Sequence, residues 1–286
     1  MPERGAFCLA VCQLRVGEEK RKNLERARQF IRRAAAGGAE LVVLPEMFNC
    51  PYRSEAFPRL AEEYPTGESI QMLAEAAAQE GIYLVGGSLP EREGERLYNT
   101  SFVFAPDGRL LARHRKLHLF DVDLASGLSF RESDQLAPGD RLTICDTALG
   151  RLGVIICYDL RFPELARLLA LQGVQLLAVP AAFNTTTGPA HWEVLLRARA
   201  IDNQFFVVGA SPARHAGQGY QVYGHSMVVD PWGTVLAKAG AEEEVLEVRV
   251  DLRRLEEVRA QLPLLRHRRS DLYLLEARGE AGPSPP

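Results

Sequence analysis

Apolar residues follow two alternating rhythms along this chain. Short runs rich in Val, Ile and Leu, such as 41–44, 152–156 and 174–179, are continuous, the pattern of strands buried on both faces. Between them, apolar residues recur three and four positions apart. In 18–36, Leu24, Ala27, Phe30, Ile31 and Ala34 form one stripe that Gly37-Gly38 stops, which predicts an amphipathic helix. Helices are also predicted over 69–80, closed by Gly81, and over 191–203 and 252–261, with strands over 6–14, 82–86, 205–210 and 245–250. Two hairpins are predicted, one pairing 97–104 with 109–116 around Pro106-Asp107-Gly108 and one pairing 225–229 with 235–237 around Asp230-Pro231-Trp232-Gly233. Strand–helix alternation with inserted hairpins predicts an α/β protein with a mixed sheet. No repeat, linker or break in composition divides the chain. Residues 1–275 therefore read as one domain, and 276–286, which hold nothing to bury, as a disordered tail.

Composition narrows the function classes. The chain has 286 residues, 47% hydrophobic and 25% charged, enough apolar matter for a sizeable core. A net charge of −3 gives no electrostatic basis for binding nucleic acid or an anionic membrane. No apolar run approaches the ~20 residues of a membrane-spanning helix. Cys8, Cys12, Cys50, Cys145 and Cys157 are odd in number and lack both a CxxC pair and a disulfide rhythm, which suits a reducing compartment. The leading Met-Pro-Glu-Arg-Gly lacks the pattern of a signal peptide, so a soluble, cytoplasmic protein is expected.

The chemistry concentrates where a strand turns into a helix. Leu152–Ile156 is a β-branched apolar run, Cys157 follows it, and Pro163 fits the first turn of a helix carrying Leu165, Leu168 and Leu169. A thiol on that corner is expected to be exposed above the sheet edge beside free backbone N–H groups, the arrangement acyl transfer needs. The competing reading is a buried Cys serving as a small apolar residue. A catalytic thiol requires a base or a nearby cation. None of His114, His118, His191, His215, His225 and His267 has a decisive context, so a Cys–His pair stays open. Glu46 after Leu41-Val-Val-Leu-Pro45, and Lys116 at the end of another predicted strand, stand at strand ends as Cys157 does. All three are expected to converge on one edge of the sheet, where open α/β sheets place their sites.

These segments carry a family resemblance. Leu44-Pro45-Glu46, His114-Arg115-Lys116-Leu117-His118 and Ile156-Cys157-Tyr158-Asp159-Leu160-Arg161-Phe162-Pro163-Glu164, in this order, resemble the signatures of the nitrilase superfamily of carbon–nitrogen hydrolases, over about 6–273. Asn49-Cys50-Pro51-Tyr52, Phe130-Arg131-Glu132-Ser133, Ala182-Phe183-Asn184-Thr185-Thr186-Thr187 and Arg268-Arg269-Ser270-Asp271-Leu272-Tyr273 are similar to its ω-amidase branch. The resemblance implies a four-layer αββα sandwich, a homodimer, and no metal or cofactor. It implies Cys157 as nucleophile and Glu46 as base. Lys116 becomes the oxyanion cation, beside the backbone N–H of Tyr158, with Glu132 bracing it. Arg161 and Thr187 would receive a substrate carboxylate, and Tyr52 and Phe183 would shape the pocket. The alternative for Arg161 is an ion pair with Asp159 or Glu164. The implied substrates are monoamides of short dicarboxylic acids, α-ketoglutaramate and α-ketosuccinamate. A deaminated-glutathione amidase is the near alternative, and a non-catalytic dimeric interaction module the alternative of another class. Arg53 departs from the pattern, which has a smaller residue there.

Overall fold

The computed structural model describes residues 5–123, 127, 129–214 and 220–278. Two mixed sheets lie face to face. The first runs, in spatial order, through Glu244–Asp251, Ala6–Gln13, Leu41–Val43, Tyr83–Val85, Arg96–Phe104 and Leu89–Glu93, and Leu110–Arg115 also pairs with Arg96–Phe104. The second runs through Val235–Lys238, Met227–Val229, Phe206–Ala210, Leu176–Pro180, Gly150–Val154 and Thr143–Thr147. The inner strands of each sheet pair in parallel and the outer ones antiparallel. Both expected hairpins form: Arg96–Phe104 pairs with Leu110–Arg115, and Met227–Val229 with Val235–Lys238.

The alternation of side chains along the first strand builds the layers. Phe7, Leu9 and Val11 face inward and join one core with Val43, Val85, Val154, Leu177 and Val207 between the sheets. Ala10 and Cys12 face outward and meet Leu24, Ala27 and Ile31 of the helix Lys20–Ala36 and Leu73 of the helix Glu68–Glu80. On the far side, Leu165 and Leu169 of the helix Pro163–Leu171, and Trp192 and Leu196 of the helix Gly188–Asn203, cover the second sheet. The expected four-layer αββα sandwich is the architecture found.

The structure adds strands that periodicity did not reveal. Leu89–Glu93 contains Pro and three charges, yet it pairs with Arg96–Phe104. Its Glu91 is buried because Arg113 and Arg115, on the strand across Arg96–Phe104 from it, neutralise it at 2.8 Å, and Thr100 donates to it at 2.6 Å. A two-stranded ribbon, Asp121–Asp123 with Ser129–Arg131, was likewise invisible in the pattern. At the C-terminus, Glu276–Arg278 lie along a groove lined by Leu117, Phe162 and Leu165. The remainder of the expected tail, 279–286, lies outside the described residues, as does His215.

Gly87 is a close-approach position. Its φ is +62°, and a Cβ there would collide with the Pro45 carbonyl oxygen. The same turn holds the Glu46 segment: Ser88 N–H donates to Pro45 at 3.2 Å, and Met47 N–H to Ser88 Oγ at 3.1 Å. Gly87→Ala should lower stability by about 2–4 kcal/mol, adding left-handed strain to a backbone collision. Chemical denaturation measures it, and an unchanged midpoint would show that this turn yields freely.

Candidate active site

Three strand ends deliver the reactive side chains, and two sheets supply them. Glu46 follows Leu41–Val43 and Lys116 follows Leu110–Arg115 in the first sheet, whereas Cys157 follows Gly150–Val154 in the second. The expectation of a single sheet edge is therefore corrected. The groups meet because the sheets face each other, so a residue leaving one sheet reaches a residue leaving the other.

Lys116 is at the centre of the cluster. Its Nζ lies 2.9 Å from Glu46 Oε1 and 2.8 Å from Glu132 Oε2, and all three side chains are 0% exposed. Its backbone is fixed on both sides, donating to Asn99 O at 2.8 Å and accepting from Gly139 N–H at 2.8 Å. Glu132 starts a short 3-10 turn and accepts from Phe120 N–H at 2.7 Å. Asn99 Nδ2 donates to Glu46 Oε1 at 2.8 Å and to Glu132 Oε1 at 3.2 Å. Sequence reasoning did not find Asn99, since nothing local marks a strand asparagine as a bridge between two glutamates. Glu46 Oε2 is buried and has no hydrogen-bond partner among the described residues, which leaves that oxygen available for a proton.

Cys157 opens a 3-10 turn, Cys157–Arg161, with φ of +47°, a left-handed conformation that costs a non-glycine residue on the order of 1–3 kcal/mol. The turn points leading N–H groups, Tyr158 among them, away from any intrahelical acceptor. The expected exposed thiol is not found: Cys157 is 5% exposed. Tyr52, Phe130 and Tyr220 form an aromatic wall beside the site, with Tyr52 4.6 Å from Tyr220 and 5.3 Å from Phe130 between ring centres. Tyr220 was not singled out from the sequence. Its phenol donates to Ala182 O at 2.7 Å, placing its ring beside the loop that follows the second sheet.

Burial pushes the Cys157 thiol well above its ordinary value; the Glu46 carboxylate pushes it further, and Lys116 only partly opposes them. Lys116 does favour thiolate, but removal from water and a neighbouring anion outweigh it. Burial also raises Glu46, against the pull of Lys116 and with a further push from Glu132. Lys116 is held well above its ordinary value: burial lowers it, but Glu132 and Glu46 more than compensate. The resting arrangement is thus a neutral thiol beside a carboxylate of raised proton affinity. A proton passing from sulfur to Glu46 leaves the total charge of the cluster unchanged.

Asp159 joins the two halves. It is 0% exposed and accepts from Ile156 N–H at 3.0 Å on the Cys157 side. On the Lys116 side it accepts from His118 N–H at 2.8 Å, with His118 Nδ1 at 2.7 Å and His114 Nε2 at 3.3 Å. His114 and His118, undecided in the sequence, serve this clamp. With Asp159 so engaged, Arg161 donates to His191 Nδ1 at 3.0 Å instead and lies across the Phe183 ring at 4.7 Å. His191 is exposed, outside any buried network. Thr187 Oγ1 donates to Asn184 at 3.2 Å at the start of the helix Gly188–Asn203. A cavity of about 170 Å³ reaches Glu46 past Tyr52 and Tyr220; Arg161 and Thr187 do not line it.

The arrangement can do one kind of chemistry well. It offers a nucleophile, a carboxylate to take its proton, and a fixed ammonium where negative charge would develop on a carbonyl oxygen. The Carbon-nitrogen hydrolase family pattern matches residues 8–260. The chain belongs to this family. Among relatives, Omega-amidase NIT2 of Mus musculus is 53% identical over 272 residues, 95% of this chain and 98% of that protein. Saccharomyces cerevisiae Nit3, a member of branch 10 of the nitrilase superfamily, superposes with a TM-score of 0.86 at 43% identity, covering 93% of this chain and 97% of that one. A mutant of the amidase from Nesterenkonia sp. AN1, with the acetamide moiety of fluoroacetamide added covalently at its active-site cysteine, superposes with a TM-score of 0.78 at 27% identity, covering 94% and 96%.

The Asp159 clamp carries a prediction for acid stability. Burial raises the Asp159 carboxylate, but hydrogen bonds from His118 and His114 outweigh that and hold it below the usual carboxylate range. A depressed folded value means stability that is present above the unfolded value, ~3.9, and lost as pH falls below it. Asp159→Asn should cost about 3–5 kcal/mol at neutral pH, since buried donors lose their anion. Its melting temperature should also vary less with pH below ~4 than the parent's. Parallel acid-dependence curves for the two proteins would show that the clamp does not operate.

Proposed function

We propose that this protein is an omega-amidase that hydrolyses the terminal amide of short dicarboxylic monoamides, of the α-ketoglutaramate and α-ketosuccinamate class, through a thioester on Cys157. The observation that carries the reading is the buried Glu46–Lys116–Cys157 cluster, whose Glu46 a cavity reaches, in a chain 53% identical over 95% of its length to an enzyme of that name.

Cys157 Sγ attacks the amide carbonyl carbon as its proton passes to Glu46. The oxygen takes up the electron pair facing Lys116 and the Tyr158 N–H, which stabilise it more than they stabilise the neutral amide. Collapse breaks the carbon–nitrogen bond, and Glu46 returns its proton to the leaving ammonia. Water then attacks the thioester while Glu46 takes a proton from it, and the departing sulfur recovers a proton as the carboxylate product forms. Glu132 holds Lys116 in place throughout; Tyr52, its phenol kept protonated by burial and by Glu132 and Glu46, stays a donor at the cavity wall.

In this reading the enzyme works in the cytoplasm as a homodimer. Ile201 (39% exposed) lies beside the hairpin that carries half-exposed Trp232, and Val194 (64%) stands seven residues before it on the same helix; exposed apolar residues of this kind suit a second copy.

Cys157→Ala should release no ammonia and form no adduct, and Lys116→Ala should lose on the order of 10²-fold or more in kcat. Intact-mass spectrometry of the parent during turnover should show an acyl adduct on Cys157; turnover retained by Cys157→Ala would defeat the mechanism. For the substrate class, kcat/KM on α-ketoglutaramate should exceed that on deaminated glutathione, and the opposite order assigns the protein to the sibling activity.

A further inference from the structure

Asn99 belongs to the inner face of its strand. Val103 of Arg96–Phe104 joins the core between the sheets, and Asn99 and Ser101 share its face by the two-residue alternation of a strand. Phe102 and Phe104 face the outer core. The neighbouring strand keeps the register: Ser101 stands opposite His114, and just beyond the last pair the Asn99 carbonyl accepts from Lys116 N–H at 2.8 Å. Asn99 is 0% exposed there. Its Nδ2 donates to Glu46 Oε1 at 2.8 Å and to Glu132 Oε1 at 3.2 Å. An amide turned over would set its oxygen against two carboxylate oxygens, so this orientation is the stable one. Asn99 Oδ1 is buried with no hydrogen-bond partner among the described residues. An unpaired buried acceptor is unfavourable, so what favours an asparagine here is the hydrogen bonding of its nitrogen.

The two glutamates use Lys116 differently. Glu132 meets Nζ with both oxygens, at 3.1 and 2.8 Å. Glu46 meets it with Oε1 at 2.9 Å, while Oε2 has no partner among the described residues. Asn99 pulls on the same Oε1, which keeps Glu46 from turning to grip the ammonium with both oxygens. We infer that Asn99 is a positioning residue for the amidase reaction: by holding Glu46 through Oε1, it leaves Oε2 as the oxygen that takes the proton from Cys157 Sγ and returns it to ammonia. This rests on the amidase reading above and deepens it.

The titratable groups around Glu46 are Lys116 at a strand end, Glu132 on its 3-10 turn, Cys157 from the second sheet, Tyr52 and Tyr220 of the aromatic wall, and the buried Cys50 thiol. Lys116 is the one cation among them, and Glu132 shares it. A hydrogen bond to a carboxylate favours its charged form. Without the Asn99 donor, Glu46 therefore holds its proton to a higher pH, and activity that needs the carboxylate rises later on the pH scale.

The pH profile of ammonia release from α-ketoglutaramate tests this. Asn99→Leu, similar in size but without a donor, should move the acid limb of kcat/KM up by about one pH unit and lower kcat about tenfold. KM should stay nearly constant, since Asn99 lines neither cavity beside the site. Asn99→Ser, gentler on the fold, should shift the limb the same way by less. Ser101→Ala, on the same face two residues on, should keep the parent's limb and kcat, and far-ultraviolet circular dichroism checks that the variants are folded. An acid limb unmoved in both Asn99 variants overturns the inference even where activity falls, because structural damage removes active enzyme without moving a titration. An equal shift in Ser101→Ala, or a raised KM at constant kcat in Asn99→Leu, overturns it too. In either case a parent that forms the acyl adduct on Cys157 keeps the amidase reading, whereas a parent with neither ammonia nor adduct removes both.

Discussion

Lys116, held without water between two carboxylates, is the constraint around which this molecule is organised. A lone ammonium taken out of water costs several kcal/mol, so the fold must supply anions at contact distance, and Glu46 and Glu132 do so at 2.9 and 2.8 Å. That solution brings a difficulty of its own: two carboxylates against one ammonium leave an excess negative charge in a dry interior. Asn99 and the Phe120 N–H absorb part of it by donating to the carboxylates. The rest appears as a raised proton affinity at Glu46. A second anion beside this cluster would be worse still, and so burial and Glu46 hold the Cys157 thiol well above its ordinary value. The surroundings that make the resting site tolerable are those that raise the proton affinity of Glu46.

Such a cluster needs two scaffolds. Residues leaving one sheet point into the same gap as residues leaving the other, and an apolar core between the sheets excludes water on the inner side. What keeps the two sets in register is polar. Asp159, beside Cys157, takes donors from the Lys116 strand end, so the Cys157 and Lys116 corners are tied through a single buried carboxylate. On the opposite side, the turn around Gly87 and Ser88 grips Pro45 and Met47 and so aims Glu46 between them. The left-handed backbone at Met47 and at Cys157 shows how closely these corners are dictated by their surroundings.

Much of this was legible beforehand. The stripe of Leu24, Ala27 and Ile31 is a real buried face, and the continuous runs around Val42, Val154 and Ala178 are strands in the interior of their sheets. Glu46, Lys116 and Cys157 stood out because reactive residue types followed buried strands. Glu132 became visible only through the resemblance. Leu89–Glu93 stayed hidden because its burial depends on Arg113 and Arg115, which pairing brings alongside. Asn99, Tyr220 and Asp159 stayed hidden as site residues for a similar reason: each acts on partners distant along the chain.

Sequence alone determined the order of the main elements, their buried faces and which chemically reactive residue types stand at strand ends, because hydrophobic periodicity and residue chemistry are local properties. Tertiary structure decided that two sheets rather than one build the site, that the thiol is enclosed rather than open, and that its proton is held rather than shed. Those outcomes depend on dielectric surroundings and on charges far apart in the chain, and only packing brings such terms into contact.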